Sequence, residues 1–534
     1  MRREHVLVDK AKDLGKVSAK GGFNLFWGIA LSSVITALGI ILIGRDLTGE
    51  QMGLVSIVLI APNLIKTFRD LGVDQATIKY VAQYRAEDKL DKVKQIIASE
   101  VLFELLVGFV LFACSFLLSG FFAQIYDRPE ITGLIQIASI IIFAEALMKA
   151  AQSAFTGYEK MGLYSAMLVV QSGVKTGLMV LLVKLGYGVY GATLGDATSY
   201  LVAGALGMIG LYFAVYRGLH KFSGPLQIIS TLKSMFRYGI PVSIAWTINA
   251  FLTQFYSTLL AIYSSDLIMG NYFIALSFSV ILTFFVVPLN TILFPAFSKI
   301  NQQTESELLK IVFRSSVKYA TLIVAPATLA VMVLAQPAIY TLFGDKFEFT
   351  PLYVALYVAI YLYTAIGSLS AGNVINSQGR TEVNLKLTLI TAAMGLSLSL
   401  ILIPLFGVIG LLATYLVAGI PSTFLALWWI NKHYNASIDY LSSAKILSAS
   451  TASAAVTFLV ISQLQQASWI NLILGAVVFV AVFLFMAPLF RAINRTDIQY
   501  LKETINALGP LSKILNIPFT ILEKLTNIFQ PSNK

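Results

Sequence analysis

The sequence predicts an all-α polytopic membrane protein of about 14 transmembrane helices: two six-helix bundles related by a pseudo-twofold axis along the membrane normal, followed by two extra C-terminal helices. Three observations lead there: a composition too apolar for water, a regular succession of apolar windows, and a pentapeptide written twice. Of 534 residues, 57% are hydrophobic and 12% charged, about half the roughly 25% charged share of soluble domains. Most of the surface therefore cannot face water. No Gly/Ser-rich, Pro-rich or single-sign tract interrupts the pattern, so one continuous membrane body is expected.

Taken in order, residues 1–20 carry Arg2, Arg3, Lys10, Lys12, Lys16 and Lys20 and read as a cytoplasmic amphipathic segment. The apolar run that begins at Phe23, "FNLFWGIALSSVITALGIILIG", is too long for a secretory signal and has no small-residue cleavage site, so it is the first span. Windows of about 20 residues place spans centred near residues 33, 62, 109, 143, 174, 202, 250, 282, 323, 363, 394, 419, 454 and 479. They divide into an N-lobe at 21–217, a cytoplasmic linker at 218–235, a C-lobe at 236–432, and two further helices within 433–493. In the tail, 494–534, Ile498, Leu501, Ile505 and Leu508 recur at helical spacing before Pro510 and Pro518, as in a helix lying on the inner leaflet.

Orientation follows from Lys and Arg, which concentrate in cytoplasmic connections. The amino terminus, the even-numbered connections and the tail hold thirty, against Arg45, Arg128, Lys184 and Lys346 in the odd-numbered connections. Both termini are expected in the cytoplasm of a multi-pass cell-membrane protein. The basic residues are dispersed between spans, which excludes a nucleic-acid module. The lone Cys114 excludes a disulfide within the chain, and no cofactor or metal site is expected. The histidines His5, His220 and His433 are scattered, and no G-x-x-x-x-G-K-[ST] loop occurs. The outer connections are short and carry no clustered carboxylates, so an enzyme is not expected.

The pentapeptide "YLVAG" stands at Tyr200–Gly204 and again at Tyr415–Gly419, after "GVYG" at Gly188 and "GVIG" at Gly407. Further pairs keep a similar offset: "QMGLVSI" with "IMGNYFI" (Gly53, Gly270), Ala76–Lys79 with Ala296–Lys299, and "TGYEKMGLY" with "QGRTEVNLK" (Gly157, Gly379). Ordered pairs of this kind indicate a duplication of six spans. Parallel repeats imply a path between two facing bundles and a rocking motion between them.

The stretches "LIMGNYFIALSFSVIL…PLNTILFPAFSKI" (Leu267 to Ile300), "LAQPAIYTLFGDKF" (from Leu334), "NSQGRTEVNLKL" (from Asn376) and "IPLFGVIGLLATYLVAG" (from Ile403) carry a resemblance. Together they resemble polysaccharide-unit, Wzx-type flippases of the multidrug/oligosaccharidyl-lipid/polysaccharide exporter superfamily. The resemblance covers essentially the whole chain, including the two extra helices and the tail. It implies translocation of lipid-linked oligosaccharides on polyprenyl-diphosphate carriers from the inner to the outer leaflet, by a monomeric transport unit working among membrane lipids. The tail would then be an interfacial helix or a docking site for glycan-assembly enzymes.

Ionisable residues within spans mark cavities or partners. They fall in the first half: Lys66, Arg69 and Asp70 in the second span, Glu100 and Glu104 in the third, Glu145 and Lys149 in the fourth, Lys175 in the fifth and Asp196 in the sixth. Lys66, Arg69, Lys149 and Lys175 are the expected binding region for a lipid-diphosphate headgroup, since Arg grips phosphate bidentately and Lys acts as a point charge. The plainer alternative is internal pairing, of Glu145 with Lys149 and of Glu100 or Glu104 with Lys66 or Arg69. Glu100, Glu104, Glu145 and Asp196 are candidates for coupling to H+ or Na+, with Glu100 near enough to the interface to be simply solvated. Spans seven to twelve offer neutral polar groups instead, and Asn249, Gln254, Asn373 and Tyr361 are candidate glycan contacts. Pro62, Pro288, Pro326 and Pro421 allow bends.

Two relatives within the superfamily are the alternatives. A multidrug exporter typically carries an acid in its first span, and Phe23 to Ile43 has none. A peptidoglycan-precursor flippase would carry basic residues there, and these are absent too.

Overall fold

The computed structural model describes the backbone of residues 2–69, 71–219, 227–302, 304–464, 466–506 and 512–529, and side chains within these except at 2–23, 500–501, 503–506, 512–519 and 521. Asp70 lies outside the described residues, as do the side chains of the basic amino-terminal segment. Among the described residues the chain is helical and contains no strand. It divides into two compact units, Met1–Phe273 and Ile274–Lys534.

The first unit begins with α1 (Arg2–Asp46), α2 (Gly49–Lys66) and α3 (Val73–Ala86). A reciprocal cap starts α2: Thr48 Oγ1 accepts from the Gln51 amide at 3.3 Å, and Gln51 returns the bond to the Thr48 amide at 3.0 Å. The second span is broken between α2 and α3. Gly72, at φ 82°, turns the chain there, and a Cβ on it would stand 2.1 Å from the Gly239 carbonyl oxygen, so the two backbones are in contact. There follow α4 (Leu90–Leu117), the short α5 (Ser119–Ile125), α6 (Thr132–Gly157), α7 (Met161–Leu182), α8 (Gly188–Leu211), the single turn α9 (Arg217–Leu219) and α10 (Ile228–Tyr263). Residues 228–235 of the expected linker are thus helical, while 220–226 lie outside the described residues. The chain runs from α8 to α9 through a π-helical turn, Tyr212–Tyr216. Around Val93, Ile97, Phe155, Met167 and Leu211 the packed side chains of α3, α4, α6, α7 and α8 make one core. The end bearing Lys89, Lys92, Lys94, Lys160 and Arg217 is here termed the basic end.

In the second unit, α11 (Asp266–Ser279), which begins in the first, leads through a tight turn into α12 (Thr283–Ser298). Then come α13 (Ser306–Phe343), α14 (Thr350–Val358), α15 (Ser368–Ser377), α16 (Thr381–Ala418), α17 (Ile420–Tyr434), α18 (Tyr440–Gln463), α19 (Ser468–Leu489), α20 (Arg495–Asn506) and α21 (Ser512–Phe529). A 59° bend at Gly367 separates α14 and its 3-10 continuation from α15. Phe297, Phe313, Val374 and Ile430 form one core, and Leu322, Ile446, Ala487 and Leu522 another.

The duplicated motif has a physical cause. Gly188 adopts φ 51°, ψ −128° and Gly407 φ 55°, ψ −128°, the same left-handed conformation in both copies and one that glycine alone adopts without cost. Three residues on, a Cβ at Gly191 would stand 2.8 Å from Leu182 Cβ, and one at Gly410 would stand 1.9 Å from the Leu402 carbonyl oxygen. The first glycine of each motif turns the chain, and the fourth lets the returning helix touch the helix it has just left.

Among the described residues nine helices are long and apolar enough to cross a membrane, or ten if the bent pair is one span. One of them, Met161–Leu219, runs for 59 residues, which would be about 90 Å if straight. Only a fold-back at Gly188 fits a hydrocarbon core of about 30 Å, and the same reasoning divides Thr381–Tyr434 at Gly407. Splitting these two, and adding the bent pair, α2 with α3, and α10, gives the expected 14 crossings. Many large apolar side chains are exposed, among them Leu117 at 80% and Trp246 at 78%.

Candidate functional site: an ionic cluster within the first unit

The break between α2 and α3 places charge inside the bundle. Lys66 ends α2, where a cation suits the helix dipole, and Arg69 sits in the turn that follows, held by a bond from its amide to the Lys66 carbonyl at 2.9 Å. The Lys66 ammonium donates to Glu145 of α6 at 2.7 Å. Arg69 lies 3.3 Å from Glu104 of α4 and 3.8 Å from the second oxygen of Glu145. Arg69 is 4% exposed and Glu104 0%. Lys149 is one turn along α6 from Glu145, and its carbonyl accepts from Ser153 at 2.9 Å.

Glu100 is fully buried, which corrects the expectation that it is solvated at the interface: the break in the second span swings α3 across α4 and seals it off. It faces Asp74 in the first turn of α3, together with Glu104, Thr77 and Ser153. A second pair lies between α7 and α8, where Lys175 Nζ is 2.8 Å from Asp196 Oδ1. Beside it Gln171 donates to Ser199 at 3.0 Å. Tyr200 stands between the two groups, within electrostatic reach of Glu145, Asp196 and Arg69.

Three of the four expected cations thus meet carboxylates. Lys66 and Arg69 come together, while Lys175 belongs to a separate pair. Burying an unpaired charge in hydrocarbon costs several kcal/mol, and pairing removes most of that cost. An anionic headgroup would therefore displace a carboxylate rather than enter an empty cationic hollow. None of the candidate glycan residues takes part in the bonds of this cluster given above. On α10, Asn249 is exposed and donates to the Ala245 carbonyl at 2.9 Å, and Gln254 is half-buried. In the second unit Asn373 donates to Asn290 at 2.8 Å, joining α15 to α12, and Tyr361 is half-buried.

Sequence reasoning missed Asp74, Tyr200 and the partnership of Arg128. Tyr200 had a signal, being the first letter of the repeated pentapeptide. Its counterpart Tyr415 packs edge-on against Tyr357 at 6.2 Å. Arg128 had served only to orient the chain, yet its guanidinium pairs with Asp266 and donates to the carbonyls of Ala261 at 2.9 Å and Ser264 at 2.8 Å. It ties the turn between α10 and α11 to the segment before α6.

Glycine-folded helical hairpins, exposed apolar surfaces and paired charges within spans mark a polytopic membrane protein, and the fold is that of the transporters of the multidrug/oligosaccharidyl-lipid/polysaccharide exporter superfamily. The lipid II flippase MurJ in an inward closed conformation matches with a TM-score of 0.71 at 14% identity, covering 87% of this chain and 98% of that one. An inward-facing multidrug resistance MATE family transporter of the same superfamily matches with a TM-score of 0.61 at 14% identity, covering 77% and 98%. In sequence, an uncharacterized membrane protein of Methanocaldococcus jannaschii is 23% identical over 418 residues, 75% of this chain and 82% of the relative. The lipopolysaccharide biosynthesis protein WzxC of Escherichia coli K12 is 24% identical over 415 residues, 75% and 78%. The chain belongs to the polysaccharide biosynthesis protein family, whose profile matches residues 42–350, more than half its length.

Proposed function

We propose that this transporter is a flippase that carries polyprenyl-diphosphate oligosaccharides from the inner to the outer leaflet of the cell membrane by alternating access, with both termini in the cytoplasm. The carrying observation is the cluster of Lys66 and Arg69 against Glu104 and Glu145 at a broken span. A diphosphate brings at least the charge of the carboxylates it displaces, so Lys66, Arg69, Lys149 and Lys175 take the headgroup. The displaced Glu104 and Glu145, with Glu100 and Asp196, are then available to bind H+ or Na+ and return the protein to its starting state. Asn249, Gln254, Asn373 and Tyr361 offer uncharged polar contacts to the glycan. The similarity to WzxC, a lipopolysaccharide biosynthesis protein, favours an oligosaccharide cargo. A peptidoglycan-precursor flippase is the second reading, since that lipid also bears a diphosphate and MurJ shares the fold; a multidrug exporter would have no use for the cations.

The test is flipping in proteoliposomes with a fluorescent polyprenyl-diphosphate oligosaccharide, run beside a peptidoglycan-precursor lipid. Transport is expected to fall at least tenfold in Arg69→Gln and in Lys175→Gln. A folded Lys175→Gln protein at the wild-type rate removes Lys175 from the headgroup site. Rates that ignore the collapse of both proton and sodium gradients remove the coupling role of the acids.

A further inference from the structure

At the end opposite the basic end, α10 gives way to α11 through Ser264 and Ser265, and one side chain from elsewhere gathers that turn. Ala261 lies in the last turn of α10, where carbonyls have no partner within the helix. Ser264 caps that helix in an extended conformation, and Asp266 is the acid in the first turn of α11. Arg128, between α5 and α6, meets all three. Its guanidinium pairs with Asp266 and donates to the carbonyls of Ala261 at 2.9 Å and Ser264 at 2.8 Å, while a bond to the nearby Tyr126 carbonyl fixes its direction. A cation here answers both the negative end of the α10 dipole and the carboxylate that follows it. The Arg128 side chain is 12% exposed, so water competes little for these bonds.

The turn held in this way carries α11 across α2. A Cβ on Gly53 would stand 1.9 Å from the Asp266 carbonyl oxygen, and one on Gly270 would stand 2.0 Å from the Gly49 carbonyl oxygen. Gly53 and Gly270 are the glycines of the repeated "QMGLVSI" and "IMGNYFI". Each faces the carbonyl four residues before the other, so the contact maps onto itself when the two halves are exchanged. The repeat axis therefore passes through this crossing. Met52 and Met269 beside it are 0% and 2% exposed, so water does not enter there. Backbones that touch at two glycines gain close contact but no strong bond. Asp266 joins the two features, since its carbonyl meets Gly53 and its carboxylate meets Arg128.

We infer that Arg128 is a latch. In the state described it holds α11 against α2 and closes the path on the repeat axis at this end, and release of Asp266 and the two α10 carbonyls precedes opening there. The latch presupposes the alternating access of the proposed function but no particular cargo. Arg128 is a positioning residue, acting through α11. Its test reads accessibility rather than flipping, so the latch and the cargo can fail separately.

The full chain on a Cys114→Ser background is to be purified in mild detergent, which leaves both ends open to a charged methanethiosulfonate reagent, and the rate of modification read by mass spectrometry. Met52→Cys reports the crossing, and Ala154→Cys, at a fully buried position in the core of the first unit, reports general loosening. Adding Arg128→Gln is expected to raise the rate at position 52 about tenfold, the effect of losing roughly one charged hydrogen bond, and to leave position 154 unchanged. Arg128→Lys, which keeps a charge for Asp266 but not the fork that reaches both carbonyls, is expected to fall between. Asp266→Asn is expected to act in the same direction as Arg128→Gln and serves if that variant does not fold. An unchanged rate at position 52 in the folded variant, or a parallel rise at both reporter positions, overturns the inference.

Discussion

Glu145 shows what a single residue does here. It accepts from Lys66 and neighbours Arg69, and its removal leaves Lys66 without its carboxylate and Arg69 with Glu104 alone. Breaking such a buried pair costs about 3–5 kcal/mol. Glu145→Gln is therefore expected to lower thermal stability in detergent sharply, whereas Glu307→Gln, which removes the exposed pair with Lys310, changes it by less than about 0.5 kcal/mol. The types and depths of these charges were legible in the sequence, because any ionisable group in an apolar window stands out. Their partners were not. Glu145 has Lys149 at the favourable i, i+4 spacing on its own helix, yet Lys66, 79 residues away, takes its carboxylate, because α2 packs on α6 at that height.

At the scale of elements, the repeated glycine motifs set the hairpins. Gly191→Ala and Gly410→Ala each force a methyl into a packed neighbour and are expected to cost more than about 2 kcal/mol, read by thermal unfolding. Gly173, in the middle of α7 with nothing within 4 Å of a Cβ, gives the opposite sign: Gly173→Ala is expected to stabilise by up to about 1 kcal/mol. The thirteenth span depends on its cap. Asp439 accepts from the Ser442 amide at 3.1 Å and from its hydroxyl at 2.8 Å, and these bonds, the amide bond foremost, hold its carboxyl below the usual carboxylate value. Because the folded-state value lies below the unfolded one, the contribution is complete above the unfolded value and is lost as pH falls through the folded one. Asp439→Ala should thus cost about 1 kcal/mol at neutral pH, and the difference from wild type should shrink as the solution is acidified. The glycines announced their hairpins in the sequence through repetition. The break at 67–72 did not announce itself, since its cause is the approach of the Gly239 backbone on α10, far along the chain.

For the whole molecule, the proposed orientation rests on thirty basic residues in the connections and termini assigned to the cytoplasm against four in the others. On a Cys114→Ser background, Lys346→Cys is expected to react with a membrane-impermeant thiol reagent added outside intact cells, and Lys386→Cys only after permeabilisation. The reverse pattern would invert the proposed direction of transport. By itself the sequence determined the class, the number of crossings and the duplicated hairpins. Those rest on local quantities, the mean hydropathy of a window or the backbone preference of a glycine, which add up residue by residue along the chain. Only the tertiary structure decided which carboxylate holds which cation, where the second span breaks, and that α2 and α11 cross at their paired glycines, because each depends on distances between helices that lie far apart in sequence.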